Sequence, residues 1–221
     1  ATDTLHKIFV ERESVLLKLS PVNEYLYSVF KDIFRPLIDA DLLRIVRGGS
    51  EVGKALVEHP EINSLHITGS KVTHDAILWG TDPQVSEELR KTGNPRIAKR
   101  ITSELGNVSP WIIVPGEYTA KQLQSQAEHV VASIVNNASF NCLATKMLVT
   151  SAGWGQRDEF LGIVEKLLKA VPPRFAYYPG ARERFEKATG KSAPDSADGS
   201  LPWTLLKNTS LEDSPHLYCE E

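Results

Sequence analysis

The feature that most constrains this chain is an alternation of short β-prone runs with amphipathic helical runs in its amino-terminal third. Residues 14–17 read as a strand. Residues 24–37 read as a helix that places Leu26, Val29, Phe30, Ile33 and Leu37 on one face. Asn23 is the expected N-cap, and the Arg35-Pro36 step kinks or ends the helix. A buried strand follows at 43–46, closed by Gly48-Gly49. A short helix spans 51–58, stopped by His59-Pro60, and a third strand spans 64–67, closed by Gly69. The order β-α-β-α-β needs crossover connections. It therefore predicts the α/β class, with a parallel, doubly wound, Rossmann-like sheet.

Residues 79–99 break this rhythm. Gly80, Pro83, Gly93 and Pro95 surround a charged helix at 84–91, and the stretch reads as a surface excursion. Regular patterning resumes with a strand at 111–114. The helix at 120–137 carries a stripe of Leu123, Ala127, Val130, Val131 and Ile134. A strand at 147–150 and an amphipathic helix at 157–170, closed by Pro172-Pro173, complete the legible elements. The remainder, residues 194–200 especially, is loop-rich, and no internal repeat occurs.

A chain of 221 residues builds one large domain or two modest ones. The net charge of −3 makes no electrostatic case for nucleic acid or an anionic membrane. No apolar run approaches the roughly 20 residues that a membrane span needs. The opening residues mix Asp3, His6, Lys7, Glu11, Arg12 and Glu13 with apolar ones, unlike a signal peptide. The expected location is therefore cytoplasmic, where thiols stay reduced, which argues against a Cys142–Cys219 disulfide. The Asn-x-Ser triplets at Asn107, Asn137 and Asn208 are then chance matches. The six histidines show no metal-ligand spacing, so no metal is expected.

With only two cysteines, candidates for a thiol nucleophile are few. Cys142 ends the segment Asn136-Asn137-Ala138-Ser139-Phe140-Asn141-Cys142, directly after a helical run. Glu104 opens a second segment, Glu104-Leu105-Gly106-Asn107-Val108-Ser109-Pro110, on a separate loop. A thiol and a carboxylate on two loops are the raw material for nucleophilic catalysis with a separate base. On composition alone, a buried structural cysteine is the commoner fate.

Four landmarks in order resemble the aldehyde dehydrogenase superfamily. Leu17-Lys18-Leu19-Ser20-Pro21 is similar to the family's lysine segment. Gly49-Ser50-Glu51-Val52-Gly53 and Ile67-Thr68-Gly69-Ser70 are similar to its two glycine turns. Glu104-Leu105-Gly106-Asn107 resembles the general-base segment, and Asn137-Ala138-Ser139-Phe140-Asn141-Cys142 the nucleophile segment. The resemblance covers roughly residues 15–151.

It implies a partial dinucleotide-binding domain at 1–106, with 79–99 as an insertion, and a partial catalytic domain at 107–221. Cys142 would be the nucleophile, with its backbone N–H an oxyanion donor, and Glu104 the base. NAD or NADP would be the cofactor. Lys18 would meet the adenosine ribose or its 2′-phosphate, Gly49 and Gly53 the pyrophosphate, and Gly69 and Ser70 the nicotinamide side. Glu221 would hold the nicotinamide ribose. Asn137 would shape the nucleophile loop.

The substrate would be an aldehyde, oxidised to a carboxylic acid, and the full-length protein a homo-oligomer. A coenzyme-A-linked acyl reductase is the alternative chemistry, against which Glu104 argues. A non-catalytic fragment or degenerate relative is the alternative class. Four positions depart from the family pattern: Pro21 and His74 stand where an acidic residue and a glycine are usual, Asn107 replaces a second glycine, and Phe140 replaces a polar residue. Both ends of the family's pattern, including a Pro-Trp-Asn motif, are expected to lie outside these residues.

Overall fold

Parallel strand pairs with crossover helices organise the computed structural model, which describes residues 2–218. The chain divides into two units, Ala1–Leu105 and Gly106–Glu221. The architecture is mixed α/β of the Rossmann-like type.

In the first unit, helix α1 (Thr2–Phe9) precedes strand β1 (Val15–Lys18). A 3-10 turn (Pro21–Leu26), helices α2 (Tyr27–Ile33) and α3 (Arg35–Asp39), and strand β2 (Leu43–Val46) follow. Strands β1 and β2 pair in parallel, from Val15 opposite Leu43 to Lys18 opposite Val46. Ile8, Phe34 and the fully enclosed Leu43 form the core, flanked by Val15, Leu17, Phe30 and Ile45.

The single helix expected at 24–37 is corrected to three pieces. Its start is a 3-10 turn with Ser20, not Asn23, at the cap position. The break falls at Phe34 (φ −96, ψ 15), which leaves the α region. Pro36 sits in the first turn of α3, where a missing N–H leaves no bond unmade. The bend lets Phe30 and Phe34 meet at 5.8 Å over the core.

Helix α4 (Ser50–Glu58) leads to β3 (Ser64–Thr68), and a helical pair, α5 (Lys71–Trp79) and α6 (Pro83–Thr92), leads to β4 (Arg100–Glu104). Strands β3 and β4 pair in parallel, with Thr68 opposite Glu104. Among the described residues β1–β2 and β3–β4 are separate ladders, not the continuous sheet that the alternation suggested.

Helix α5 and strand β4 have no counterpart in the sequence reading. Arg100-Ile101-Thr102-Ser103-Glu104 has one apolar residue, so its pattern is silent. Side-chain caps set the helix starts: Ser70 Oγ accepts from Thr73 N–H at 3.2 Å, and Asp82 Oδ1 from Gln84 N–H at 2.9 Å. Asp75 ties α5 to α6, pairing with Lys71 and with Arg90 at 2.8 Å, while Arg90 also lies over the Trp79 ring. Burial opposes its ionisation, but hydrogen bonds from Lys71, Arg90 and His74 outweigh burial and hold the carboxyl well below the usual range.

In the second unit, strands β5 (Ser109–Ile112) and β6 (Thr145–Val149) pair in parallel around helix α7 (Ala120–Val135). Strand β5 starts before Pro110 rather than at 111. A ladder irregularity between Ser109 and Pro110 accommodates the residue that has no N–H to donate. Helix α7 opens with a reciprocal cap: Thr119 Oγ1 accepts from Gln122 N–H at 3.3 Å, and Gln122 Oε1 from Thr119 N–H at 2.8 Å. It ends at Val135, two residues short of expectation, because the chain turns left-handed at Asn137.

Helix α8 (Arg157–Ala170) packs on α7. Leu123, Ala127, Val130, Phe160, Val164 and Leu168 make the shared core with Trp154. Beyond α8 lie a short antiparallel pair, β7 (Arg174–Phe175) with β8 (Ser200–Leu201), and helix α9 (Ala181–Thr189), in place of the loop expected there.

Candidate functional site

Lys18, Gly49, Gly69, Ser70 and Glu104 stand at or just past the carboxyl ends of parallel strands, where α/β sheets collect ligands, and Gly53 lies one turn into the helix after β2. Lys18 ends β1. Its ammonium donates to Gly48 O at 2.7 Å and to Leu19 O at 3.2 Å, crossing to the turn after β2. The Lys18 stem lies along α4, where a β-carbon on Gly53 would meet Cε at 3.4 Å. Gly49 is the N-cap residue of α4, and a β-carbon there meets nothing within 4 Å.

Two further residues of this cluster escaped the sequence reading. Gly48 has φ +135, and a β-carbon on it would lie 2.4 Å from Val52 Cγ2, so this is the position in the turn where only glycine fits. The Gly48-Gly49 doublet was its only signal. Glu24 Oε1 accepts the Gly48 N–H at 2.7 Å, returning an acidic group to a cluster where Pro21 removes one.

The second cluster is built by the β3–β4 ladder. Gly69 N–H donates to Glu104 O at 3.1 Å, so the glycine turn and the candidate base are joined through backbone. The Glu104 side chain is exposed at the end of β4. Ser70 is spent on capping α5, with its hydroxyl also 3.1 Å from Thr73 Oγ1. The His74 ring turns to Asp75, with Nδ1 3.1 Å from Oδ1.

Cys142 lies in the second unit, between a 3-10 turn (Asn136–Ser139) and β6, as an exposed free thiol. Two groups fix its backbone. Ser109 Oγ donates to Cys142 O at 2.5 Å. Lys146 Nζ folds back to donate to Asn141 O at 3.3 Å and Ala144 O at 3.1 Å, the carbonyls on either side. Burial of that ammonium pushes Lys146 down. Thr145 anchors the strand start, its Oγ1 2.8 Å from Ser133 Oγ on α7. Glu104 and Cys142 belong to different units. Glu221 and Cys219 lie outside the described residues.

A sequence profile of the Aldehyde dehydrogenase family matches residues 10–173. A probable delta-1-pyrroline-5-carboxylate dehydrogenase of Schizosaccharomyces pombe is 26% identical over 202 residues, covering 88% of this chain and 34% of that protein. A solved indole-3-acetaldehyde dehydrogenase in complex with NAD+ is similar at a TM-score of 0.53 and 25% identity, covering 73% of this chain and 30% of that one. The NADP complex of glyceraldehyde-3-phosphate dehydrogenase GapN from Methanocaldococcus jannaschii matches at a TM-score of 0.63 with 16% identity, over 86% of this chain and 42% of that one.

The profile match covers most of the chain, and the parallel ladders with glycine turns at their ends fit it: this chain belongs to the aldehyde dehydrogenase family. It spans 26% and 34% of the length of two curated relatives that it matches.

Proposed function

We propose that the protein carrying this chain oxidises an aldehyde to a carboxylic acid with NAD or NADP, using Cys142 as nucleophile. The observation that carries this reading is the state of Cys142. It is a free, exposed thiol on a loop whose carbonyls are pinned by Ser109 and Lys146. A structural cysteine would be buried and packed.

The Cys142 thiol gives up its proton to solvent and adds to the aldehyde carbonyl as the thiolate, and the backbone N–H of Cys142 donates to the oxyanion that forms. Lys18, Gly49 and Gly53 would hold a nicotinamide nucleotide, which would supply the hydride acceptor. Loss of hydride, with its two electrons, from the thiohemiacetal carbon would leave Cys142 as a thioester. Glu104 takes a proton from water, which attacks the thioester. Thiolate leaves and the acid is released.

The first unit's residues suit the dinucleotide. Lys18 offers a cation. Gly49, the N-cap residue, leaves open space at the start of α4, and Gly53 one turn on leaves room for the Lys18 stem, so phosphate can approach the helix N-terminus there. Gly69 and Ser70 stand with Glu104 at the β3–β4 end. A cytoplasmic location and homo-oligomeric assembly belong to the same reading.

The deciding experiment follows reduced nicotinamide formation from a panel of aldehydes by wild type and Cys142→Ala. The variant is expected to be inactive; equal rates would remove Cys142 from the mechanism. Glu104→Gln is expected to accumulate acyl-enzyme, visible by intact mass. Unchanged thioester hydrolysis would reassign the base.

A further inference from the structure

The residues leading into Cys142 hold a backbone that L-amino acids avoid. Asn137 (φ 48, ψ 47), Ala138 (φ 53, ψ 29) and Ser139 (φ 64) are all left-handed. Asparagine tolerates this region, but for alanine and serine it costs roughly 1–2 kcal/mol per residue. Such a run persists only where its surroundings over-determine it.

The fastening comes from a distant part of the sequence. Tyr177 follows β7, and its hydroxyl donates to Asn137 Oδ1 at 3.0 Å. Its ring meets Phe140 edge-on at 4.9 Å, and Tyr178 adds a second ring at 5.1 Å from Phe140. Asn137 Nδ2 then donates to Asn141 Oδ1 at 3.2 Å, and Asn141 Nδ2 donates to Asn136 Oδ1. A relay of hydrogen bonds thus runs from Tyr177 through Asn137 to Asn141, the residue before Cys142. The other side of the loop is held by Ser109 and Lys146. Without the Tyr177 hydroxyl, Asn137 keeps only its bond to Asn141 within the loop, and the left-handed run loses an external restraint.

We propose that Tyr177 is a positioning residue for Cys142: its hydroxyl, through Asn137, and its ring, against Phe140, hold the strained loop that aims the thiol. This rests on the reading of Cys142 as the nucleophile. Tyr177 touches no reacting atom, so its effect belongs in turnover and thiol reactivity, not in aldehyde affinity.

The test uses Tyr177→Phe in a Cys219→Ser background of the whole protein. That change keeps the ring against Phe140 and removes only the hydroxyl. Turnover is expected to fall on the order of 10-fold, with KM within about two-fold, since small misplacement of a nucleophile costs rate. The alkylation rate of Cys142 by iodoacetamide, followed by mass, is expected to change by about three-fold or more, because the thiol's presentation changes. Asn137→Ala should reproduce both effects, and the double variant should be no worse than either single one, as members of one relay are not additive. Wild-type turnover and alkylation in Tyr177→Phe would overturn the proposal, as would fully additive losses. If wild type itself turns over no aldehyde, the proposed function fails, while the alkylation comparison still decides the role of Tyr177.

Discussion

Lys18 and Gly48 are joined across the first strand pair: the Lys18 ammonium donates to the Gly48 carbonyl at 2.7 Å. One contact thereby links the end of β1 to the turn after β2, while the Gly48 N–H is held by Glu24. The candidate dinucleotide grip is thus a closed local circuit of Lys18, Gly48 and Glu24. Lys18→Met keeps the stem along Gly53 and removes the charge. A charge-assisted hydrogen bond contributes about 1.5–3 kcal/mol, so dinucleotide affinity by calorimetry is expected to weaken roughly 10-fold or more.

The two adjacent glycines should respond differently. Gly48→Ala drives a β-carbon to 2.4 Å from Val52 at φ +135 and is expected to destabilise the first unit by about 2 kcal/mol or more. Gly49→Ala places its β-carbon in open space at φ −78, so the denaturation midpoint should barely move, while dinucleotide affinity drops. Urea titrations of both variants decide this. A larger stability loss at Gly49 would contradict the turn geometry.

Asp75 holds the α5–α6 pair through Lys71 and Arg90. Asp75→Asn removes the charge on which these cations converge. Amide exchange across α6 is expected to rise while that of β1 and β2 stays unchanged. A uniform rise across the unit would instead mean global destabilisation.

Phe160 is fully enclosed at the α7–α8 interface beside Trp154. Phe160→Ala should cost about 3–5 kcal/mol. Trp154 emission is a direct reporter of the loss, because its ring stands 5.7 Å from Phe160.

Glu165 on α8 is lowered to about 2 by hydrogen bonds from Lys169 and Lys207. A depressed carboxyl stabilises above its unfolded value, and that contribution is lost as pH falls through the folded value. The stability difference between wild type and Glu165→Gln should therefore persist at neutral pH and vanish between about pH 4.5 and 2. It should also shrink with added salt, because the group is solvent-facing.

What could be read in advance followed apolar periodicity. Helix α8 matches residue for residue, and the Leu123, Ala127, Val130, Val131 stripe of α7 is the face that is buried. Strand β4 was illegible because only Ile101 in it is apolar, and its order comes from pairing with β3. Helix α5 was missed because Gly69 read as a stop, while Ser70 beside it is the cap that starts the helix. At the candidate site, Cys142, Glu104 and Lys18 were visible as residues in motif context. Glu24, Lys146, Ser109 and Tyr177 were not, since each acts through a backbone or side-chain atom brought near by folding. No local pattern couples Tyr177 to Asn137.

The β5–β6 ladder has two strands, and each has an outer edge without a strand partner among the described residues. Ile112, Val114 and Val149 on or beside it are exposed at 67%, 68% and 40%. An open, apolar edge is a template for further strands. Handled by itself, this polypeptide is expected to be colloidally fragile. Light scattering should grow with protein concentration and resist salt, and a lysine at Ile112 should suppress it.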